Sequence, residues 1–255
     1  LPVISDKICQ RIREKLYNAF GGNFYEIIIG GAAFNSEIEQ LLHKIGFNYT
    51  VGYGPTECAP IISYADWKEL PLGSCGRIVP HMEVKIDSPD PENIVGEIMV
   101  RGANVMLGYY KNPEATAAVI DSDGWFHTGD LGILDADGFL YIRGRSKNML
   151  LGSSGQNIYP EEIEDKLNTL PYVSESIVIQ KGEKLYGLVY PDFEEAQKDG
   201  LDDEMLAAQM EQNRKELNSI VNNYEQLSGI KIFQEEFEKT PKRSIKRFLY
   251  ADAEI

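Results

Sequence analysis

The amino-acid sequence predicts an α/β segment, then a small antiparallel β-barrel, then an α+β domain. A short apolar run that ends in glycines is followed by a helical pattern and a second short strand, as in a parallel sheet. Short glycine-rich strands without a long amphipathic helix come next, and they are typical of a small barrel. Helices and strands are mixed again towards the end of the chain. We therefore expect three parts, at residues 1–70, 71–143 and 144–255.

Residues 1–70 have the pattern of a strand–helix–strand unit. The apolar run at residues 24–29 predicts a buried strand that ends at Gly30 and Gly31. Asn35 or Ser36 can cap a helix that leads to a second strand at residues 49–51. Ligands of such sheets lie beyond the carboxyl ends of the strands, where both glycine turns of this part fall. An opening helix is indicated by apolar residues at regular spacing, namely Ile8, Ile12, Leu16 and Phe20.

The middle and last parts are defined by their strand and helix signals. In the middle part we predict strands at residues 83–86, 96–100 and 139–142, with a surface helix at residues 113–120. In the last part Pro160 and the two glutamates after it open a helix, because proline and negative charge are both favoured at a helix N-terminus. The other predicted elements are strands at residues 175–179, 185–190 and 230–233 and an acidic helix at residues 201–223.

The composition excludes some classes of protein. The formal net charge is −15, which argues against a protein that binds nucleic-acid phosphates through Lys and Arg. No apolar run approaches the ~20 residues that cross a bilayer, and the first residues lack the pattern of a signal peptide. Three cysteines without a close pair suit a reducing compartment and offer no metal-site spacing. We therefore expect a cytoplasmic protein, and, because the chain opens without Met inside a helical pattern, a piece of a longer one.

The segment Tyr53-Gly54-Pro55-Thr56-Glu57 follows the second predicted strand and combines residue types suited to a nucleotide. Glycine lets the backbone approach a ligand, the tyrosine ring offers a flat face to a base, and the threonine hydroxyl can bond a phosphate. The glutamate can hold Mg²⁺ as a hard oxygen ligand. The alternative interpretation is a turn that leads into a capped helix.

Two further segments contain candidate ligand contacts. Asp130 follows a glycine, and its carboxylate can accept hydrogen bonds from two vicinal ribose hydroxyls. In the alternative interpretation it is an ordinary turn residue. Arg145 and Lys147 lie at a domain boundary and precede a Ser/Gly-rich loop that ends near Gly155. Such a boundary is either a hinge, where a few residues absorb large dihedral changes, or a solvated linker.

Six motifs of this sequence, taken together, resemble successive core motifs of the adenylate-forming superfamily. They occur in the order of that family and roughly at its spacing, over nearly the whole chain. The segment at residues 190–193 and the acidic helix after it are similar to long-chain acyl-CoA synthetases in particular. The six motifs are residues 30–33, 53–57, 109–110, 126–130, 141–145 and 160–164.

The resemblance implies the C-terminal part of a two-lobe acyl-CoA synthetase fold and a two-step reaction. A fatty-acid carboxylate attacks the α-phosphate of Mg-ATP to give acyl-AMP and pyrophosphate, and the thiol of coenzyme A then displaces AMP. The molecules that it implies as partners are therefore ATP, Mg²⁺, coenzyme A and a fatty acid. It leaves a peripheral membrane contact open.

The resemblance also implies roles for individual residues of the motifs. Thr56 and Glu57 would act in catalysis, on a phosphate and on Mg²⁺ respectively. In chain order, the other implied roles are Gly31 and Ala32 beside the adenine, Tyr53 stacked on it, Gly54 in cofactor binding, Asp130 and Arg145 on the ribose, Lys147 at the hinge, and Gly155 at the pantetheine channel.

Two features depart from the pattern of the family. Its glycine- and Ser/Thr-rich phosphate loop would lie before Leu1, so the chain alone is not expected to form an adenylate. Counting back from Arg247, Ser244 occupies the position of the adenylation lysine of the family. Either Lys242 or Lys246 then reaches the site and acts in catalysis, or the protein makes the adenylate slowly. A solvated basic tail is the third interpretation of these cations.

Two other functions stay open at the level of sequence. An adenylating enzyme can load its acyl group onto a carrier-protein thiol instead of coenzyme A. A noncatalytic protein can bind a nucleotide or an acyl-adenylate with the same fold. The position of Ser244 favours the second of these alternatives.

Overall fold

A computed structural model describes residues 6–241 and 243–255 of the chain. Its contacts divide the chain into two compact units, Leu1–Ser146 and Lys147–Ile255. The division into three parts at residues 1–70, 71–143 and 144–255 stays a prediction. Among the described residues, no helix is both long and apolar enough to span a membrane.

The first unit opens with two parallel strands and two helices, as the sequence predicts. The elements are α1 (Asp6–Ala19), β1 (Ile27–Ile29), α2 (Ser36–Ile45) and β2 (Tyr49–Val51). The strands pair in parallel, with Ile27 opposite Tyr49. Helix α2 begins where predicted, because the Asn35 side chain accepts a hydrogen bond from the backbone N–H of Ile38 at 3.0 Å.

Strand β1 is shorter and more exposed than the sequence predicts. It begins at Ile27 rather than at residue 24, and the side chain of Ile28 is exposed. Among the described strands β1 pairs only with β2, so the other edge of β1 stays unpaired. Phe24, which the prediction placed in the strand, lies instead with its ring centre 5.8 Å from that of Phe47.

Helix α1 is confirmed, but the apolar stripe that predicted it is only partly buried. Ile12 and Leu16 pack against the apolar core of α2 and β2. Ile8 is 49% exposed, and Phe20, which follows the helix, is 60% exposed. The ring of Phe20 still lies 6.2 Å from that of Phe47. The four-residue spacing therefore identified the helix and overestimated the length of its buried face.

The rest of the first unit is mainly an antiparallel sheet. Its strands are β3 (Ser63–Tyr64), β4 (Arg77–Ile78), β5 (Met82–Asp87), β6 (Gly96–Gly102), β7 (Phe126–Leu134) and β8 (Leu140–Arg145). The last four form a ladder in the order β5-β6-β7-β8, and a bridge between Arg77 and Phe139 places β4 beside the start of β8. The predicted surface helix is present as α3 (Pro113–Ala117), shorter than expected. The core of the sheet is apolar and includes Ile98, Val100, Phe126 and Leu140.

Strand β7 corrects one of the two interpretations of Asp130. The alternative interpretation made Asp130 an ordinary turn residue, whereas the structure has a long strand there that pairs with both β6 and β8. The ladder between β6 and β7 contains an irregularity next to Glu97. Glycine and aspartate are depleted in strands, so Gly129, Asp130 and Gly132 hide the strand pattern in the sequence.

The second unit is an α+β domain, as predicted. Its elements are β9 (Leu150–Leu151), β10 (Asn157–Ile158), α4 (Pro160–Leu167), β11 (Val173–Lys181), β12 (Lys184–Pro191), α5 (Phe193–Lys198), α6 (Asp203–Ile220) and β13 (Leu227–Ile232). Strand β12 pairs antiparallel with β11 and parallel with β13. The core includes Leu167, Val189 and Leu217, which are fully buried. The predicted Ser/Gly-rich loop is the turn of a short hairpin between β9 and β10.

Candidate nucleotide-binding site

Glycine turns follow the carboxyl ends of both parallel strands. The backbone N–H of Gly52 donates to the carbonyl oxygen of Ile29 at 2.9 Å, so the two turns begin side by side. Gly31 has a φ of 89°, which favours glycine, and a Cβ at this position would meet no atom within 4 Å. Ala32 is exposed beside it. The two residues predicted to border an adenine are therefore accessible at this edge of the sheet.

Tyr53 and Gly54 are fixed by the backbone of a neighbouring segment. The N–H of Tyr53 donates to the carbonyl oxygen of Ser63 at 3.1 Å, and its carbonyl accepts from the N–H of Ser63 at 3.0 Å. A Cβ at Gly54 would lie 1.7 Å from the carbonyl oxygen of Pro60. No larger residue fits there without moving the backbone. The sequence attributed this glycine to the approach of a ligand, and the structure adds a packing reason.

Thr56 and Glu57 lie in a single 3₁₀ turn rather than at the start of the α-helix of the alternative interpretation. The N–H of Met106 donates to the carbonyl of Glu57 at 2.7 Å, and the Tyr109 hydroxyl donates to its Oε1 at 3.0 Å. Burial and the Glu57 carboxylate raise the pKa of the Tyr109 phenol, which therefore stays a donor. Sequence reasoning assigned no role to Tyr109, and its contact with a residue 52 positions away has no local signal.

Asp130 is the buried centre of the candidate site. The Tyr53 hydroxyl donates to its Oδ2 at 2.7 Å, and the Arg145 Nε lies 2.9 Å from its Oδ1. The Asp130 side chain is 7% exposed, whereas that of Arg145 is 54% exposed. Asp130 and Arg145 are direct partners in the β7–β8 ladder, so the register of the sheet brings them together. Burial and the charge of Asp130 raise the pKa of the Tyr53 phenol, which is therefore protonated at neutral pH.

This arrangement orients a carboxylate between a phenol and a guanidinium. Each oxygen of an ionised carboxylate has two acceptor positions. Asp130 can therefore accept hydrogen bonds from vicinal hydroxyls in addition to its contacts with Tyr53 and Arg145. Thr56 and Glu57 follow Tyr53 on the same segment, so the predicted phosphate and metal contacts are near the predicted base contact in the chain. Tyr53 in turn contacts Asp130, the predicted ribose contact.

A metal ion fits this site only together with a substrate. Within residues 6–241 and 243–255, no cluster of three or more His, Cys, Asp or Glu side chains could hold a metal. Mg²⁺ is commonly bound by one or two carboxylates together with substrate phosphates and water. Glu57 fits that mode as a single protein ligand, because its carboxylate is oriented by the Tyr109 hydroxyl.

The predicted hinge and channel residues of the second unit are exposed. Lys147 lies in a 3₁₀ turn, Ser146–Asn148, where the second unit begins. Gly155 forms the tip of the β9–β10 hairpin, where its N–H donates to the carbonyl of Gly152 at 2.9 Å and its φ is 83°. A positive φ explains the glycine. The hinge and channel roles stay predictions.

The C-terminal basic segment is anchored to the second unit through ion pairs. The Nζ of Lys246 lies 3.0 Å from the Oε2 of Glu238. Arg247 binds both carboxylate oxygens of Glu164 on α4. Ser244 is exposed and its backbone is held in a tight turn. Lys242 lies outside the described residues, and the catalytic roles of both lysines stay predictions.

Comparison with protein-family models gives two matches, one in each unit. Residues 2–110 match the model described as AMP-binding enzyme. Residues 147–252 match the model described as AMP-binding enzyme C-terminal domain. The two matches together span most of the chain and include every residue of the candidate site except those on β7 and β8.

Curated relatives and solved structures agree with these matches. The chain is 30% identical over 261 residues to the long-chain-fatty-acid–CoA ligase FadD15 of Mycobacterium bovis, covering 94% of this chain and 42% of the relative. It is 38% identical over 170 residues to the indoleacetate–CoA ligase of Aromatoleum aromaticum, covering 64% of this chain and 33% of that enzyme. The chain therefore spans less than half the length of these relatives.

A solved structure gives the same result for the fold. The solved structure of o-succinylbenzoate CoA synthetase (MenE) from Bacillus subtilis in complex with the acyl-adenylate intermediate OSB-AMP matches with a TM-score of 0.74 and 25% identity. The match covers 96% of this chain and 50% of that one. The chain has the fold of the C-terminal part of an acyl-CoA synthetase-like enzyme, and it belongs to the adenylate-forming superfamily of AMP-binding enzymes.

Proposed function

We propose that the whole protein is an AMP-forming acid–thiol ligase, which activates an acid with ATP and passes the acyl group to coenzyme A. The observation that carries this proposal is Asp130, a buried carboxylate held between the Tyr53 hydroxyl and the Arg145 guanidinium. The matches to AMP-binding enzymes in both units support it. The relatives named above are CoA ligases of different acids, so the class of reaction is better supported than the acid.

The proposed reaction converts a poor electrophile into a good one. In the first step an oxygen of the acid attacks the α-phosphorus of ATP, the bond to the bridging oxygen breaks, and pyrophosphate leaves. In the second step the thiolate sulfur of coenzyme A attacks the acyl carbon, and AMP leaves with the electrons of the broken bond. Asp130 accepts hydrogen bonds from the ribose hydroxyls, and Arg145 supplies a cation beside them. Thr56 donates a hydrogen bond to a phosphate oxygen. Mg²⁺ held by Glu57 and the phosphates would offset negative charge there.

Within this proposal we favour a long-chain fatty acid as the substrate. FadD15, whose name states that substrate, matches over 94% of the chain. The indoleacetate ligase has a higher identity over a shorter stretch, which makes an aromatic acid the main alternative. We further propose a cytoplasmic protein whose partners are the acid, ATP and coenzyme A. A net charge of −15 disfavours nucleic acid, and a peripheral membrane contact would give access to a lipid substrate.

A second candidate function is a protein that binds an acyl-adenylate without forming one. Ser244 favours it, because a hydroxyl stands where the resemblance expects a cation. Removing one such group from a site of developing charge weakens catalysis by about 3 kcal/mol. A transfer of the acyl group to a carrier protein stays a third candidate, and activity with coenzyme A as the only thiol would exclude it as a requirement.

The nucleotide site can be tested on the chain itself. We expect weak binding of a nonhydrolysable acyl-sulfamoyl adenosine in titration calorimetry, and we expect Asp130→Asn to reduce the affinity about tenfold or more through the loss of charged hydrogen bonds. Asp137→Asn is the control, because it removes an exposed carboxylate from the turn before β8. Equal affinities of wild type and Asp130→Asn would place the nucleotide elsewhere.

A further inference from the structure

Asp130 is presented by a bulge in the β6–β7 ladder. Glu97 pairs with Leu131, and Met99 pairs with His127. The three residues between His127 and Leu131 therefore stand opposite the single residue Ile98. Thr128, Gly129 and Asp130 form this bulge. Strand β7 therefore has two more residues than β6 over the same stretch, and the bulge directs the carboxylate towards Tyr53 and Arg145.

The bulge is closed from within by Thr128. Its hydroxyl donates to the carbonyl oxygen of Ile98 at 2.8 Å and accepts the N–H of Asp130 at 3.0 Å. Gly129, at the apex, has a φ of 69°, a conformation that favours glycine. Its N–H points out of the ladder and needs an acceptor from elsewhere, because buried or half-buried backbone donors are normally paired.

The Glu97 side chain supplies that acceptor. Its Oε1 accepts the N–H of Gly129 at 3.0 Å, and its Oε2 lies 2.9 Å from the Nδ1 of His127. The Nε2 of the same imidazole lies 3.8 Å from an oxygen of Asp121, which is itself fixed by the N–H of Trp125 at 2.8 Å. The Glu97 and His127 side chains are 25% and 34% exposed. Glu97 is therefore held at both oxygens, with one end on the bulge.

We propose that Glu97 is a positioning residue for Asp130, and that His127 orients Glu97. The proposal rests on the proposed function, because it gives the bulge the task of placing a ribose-binding carboxylate. His127 contacts Glu97 through one ring nitrogen and Asp121 through the other, so the imidazole lies between the two carboxylates. Without Glu97 the apex N–H loses its partner, and the bulge can relax into conformations in which Asp130 no longer meets the ribose hydroxyls.

The first experiment measures how well the chain distinguishes ribose from its dideoxy form. Affinities for AMP and 2′,3′-dideoxy-AMP are measured for wild type, Glu97→Ala, Glu97→Gln and the control Glu83→Ala. Glu83 also lies in this sheet but pairs with Arg101 and not with the bulge. A change that only loosens the fold weakens both ligands alike and leaves their affinity ratio unchanged. Misplacement of Asp130 weakens AMP alone.

We expect Glu97→Ala to reduce the AMP preference about tenfold, as for the loss of one hydrogen bond to a charged group. Glu97→Gln keeps an oxygen for the Gly129 N–H and an amide for His127, so it should restore most of the preference. Glu83→Ala should match wild type. A Glu97→Ala chain with the wild-type ratio would overturn the proposal.

A second measurement does not depend on nucleotide binding. Hydrogen exchange of the Gly129 amide should become about tenfold faster in Glu97→Ala and stay slow in Glu97→Gln, because the amide loses its acceptor only in the former. An unchanged exchange rate in Glu97→Ala would show that Glu97 does not hold the Gly129 amide. If wild type binds no AMP, the proposed function fails and the ribose role falls with it, while the exchange result still decides whether Glu97 holds the bulge.

Discussion

Gly54 is fixed by a backbone neighbour and not only by a ligand. A Cβ there would lie 1.7 Å from the carbonyl oxygen of Pro60, which is a backbone atom and cannot rotate away. We predict that Gly54→Ala lowers the free energy of unfolding by roughly 3 kcal/mol, as expected for overpacking against a fixed neighbour. Urea unfolding of the chain measures this.

The matched control for Gly54 is Gly52→Ala in the same segment. A Cβ at Gly52 would lie 3.5 Å from its nearest neighbour, the carbonyl oxygen of Ser63, which is ordinary contact distance. We expect a loss well below that of Gly54→Ala. If both substitutions had the same effect, the close approach of Pro60 would not be the reason for glycine.

Glu164 predicts a pH dependence of stability. Burial raises its pKa to about 7 from an ordinary value of 4.5, although Arg247 and the N–H of Val178 act in the opposite direction. The folded state then binds a proton more tightly than the unfolded state. This contribution to stability is fully present below the unfolded pKa and is lost as pH rises through the folded one, by roughly 3 kcal/mol in total.

The measurement for Glu164 is the slope of stability against pH. Glu164→Gln cannot titrate, so its unfolding free energy should change less between about pH 5 and about pH 7 than that of wild type. The absolute stability of the variant also reflects the lost ion pair with Arg247 and does not decide the question. Parallel profiles for the two proteins would mean that Glu164 does not titrate in this range.

Among the elements, those with an unbroken period were the ones that the sequence identified. Helix α2 and strand β2 have the predicted position, and β11, β12 and α6 lie within a few residues of it. Strand β7 was missed because glycine and aspartate, which are depleted in strands, interrupt its apolar pattern. The short β9–β10 hairpin was missed for a related reason, since two-residue strands are too short to show a period.

The N-cap of helix α2 can be tested directly. Asn35 accepts the N–H of Ile38, so Asn35→Ala should lower the free energy of unfolding by about 1 kcal/mol through an unsatisfied helix donor. Gln40→Ala, at an exposed position of the same helix, is the control. Thermal or urea unfolding of both variants gives the comparison, and a cap variant no less stable than the control would contradict the cap.

For the molecule as a whole, the class of fold could be predicted, and the contacts inside the site could not. Asp130 and Arg145 were both named from motifs, but their pairing depends on the register of two strands. The bond between the Tyr53 hydroxyl and Asp130 joins residues 77 positions apart. Glu97 carries no motif of its own, because its role depends on the bulge opposite it. Local sequence patterns predict helices and strands, whereas contacts between residues far apart in the sequence are known only from the folded structure.

We propose the activity for the whole protein, because this chain spans less than half the length of the relatives that it matches. We predict fatty-acid-dependent exchange of pyrophosphate into ATP by that protein and none by the chain alone. Ser244→Lys should raise the exchange rate, by up to about a hundredfold if the cation reaches the oxygens where charge develops. Ser244→Gln, similar in length and uncharged, is the control. No exchange in any form would favour the noncatalytic alternative.

The bulge of β7 also separates the residues proposed to bind a ligand from the residues that form the core of the sheet. Its surplus over β6 is an even number of residues, so the side chains on either side of it keep the same faces of the sheet. The apolar layer beneath could therefore assemble with a regular hairpin at this place. The residues proposed to bind the ligand lie in this short bulge, and substitutions in the bulge can change binding while the apolar core of the sheet stays the same.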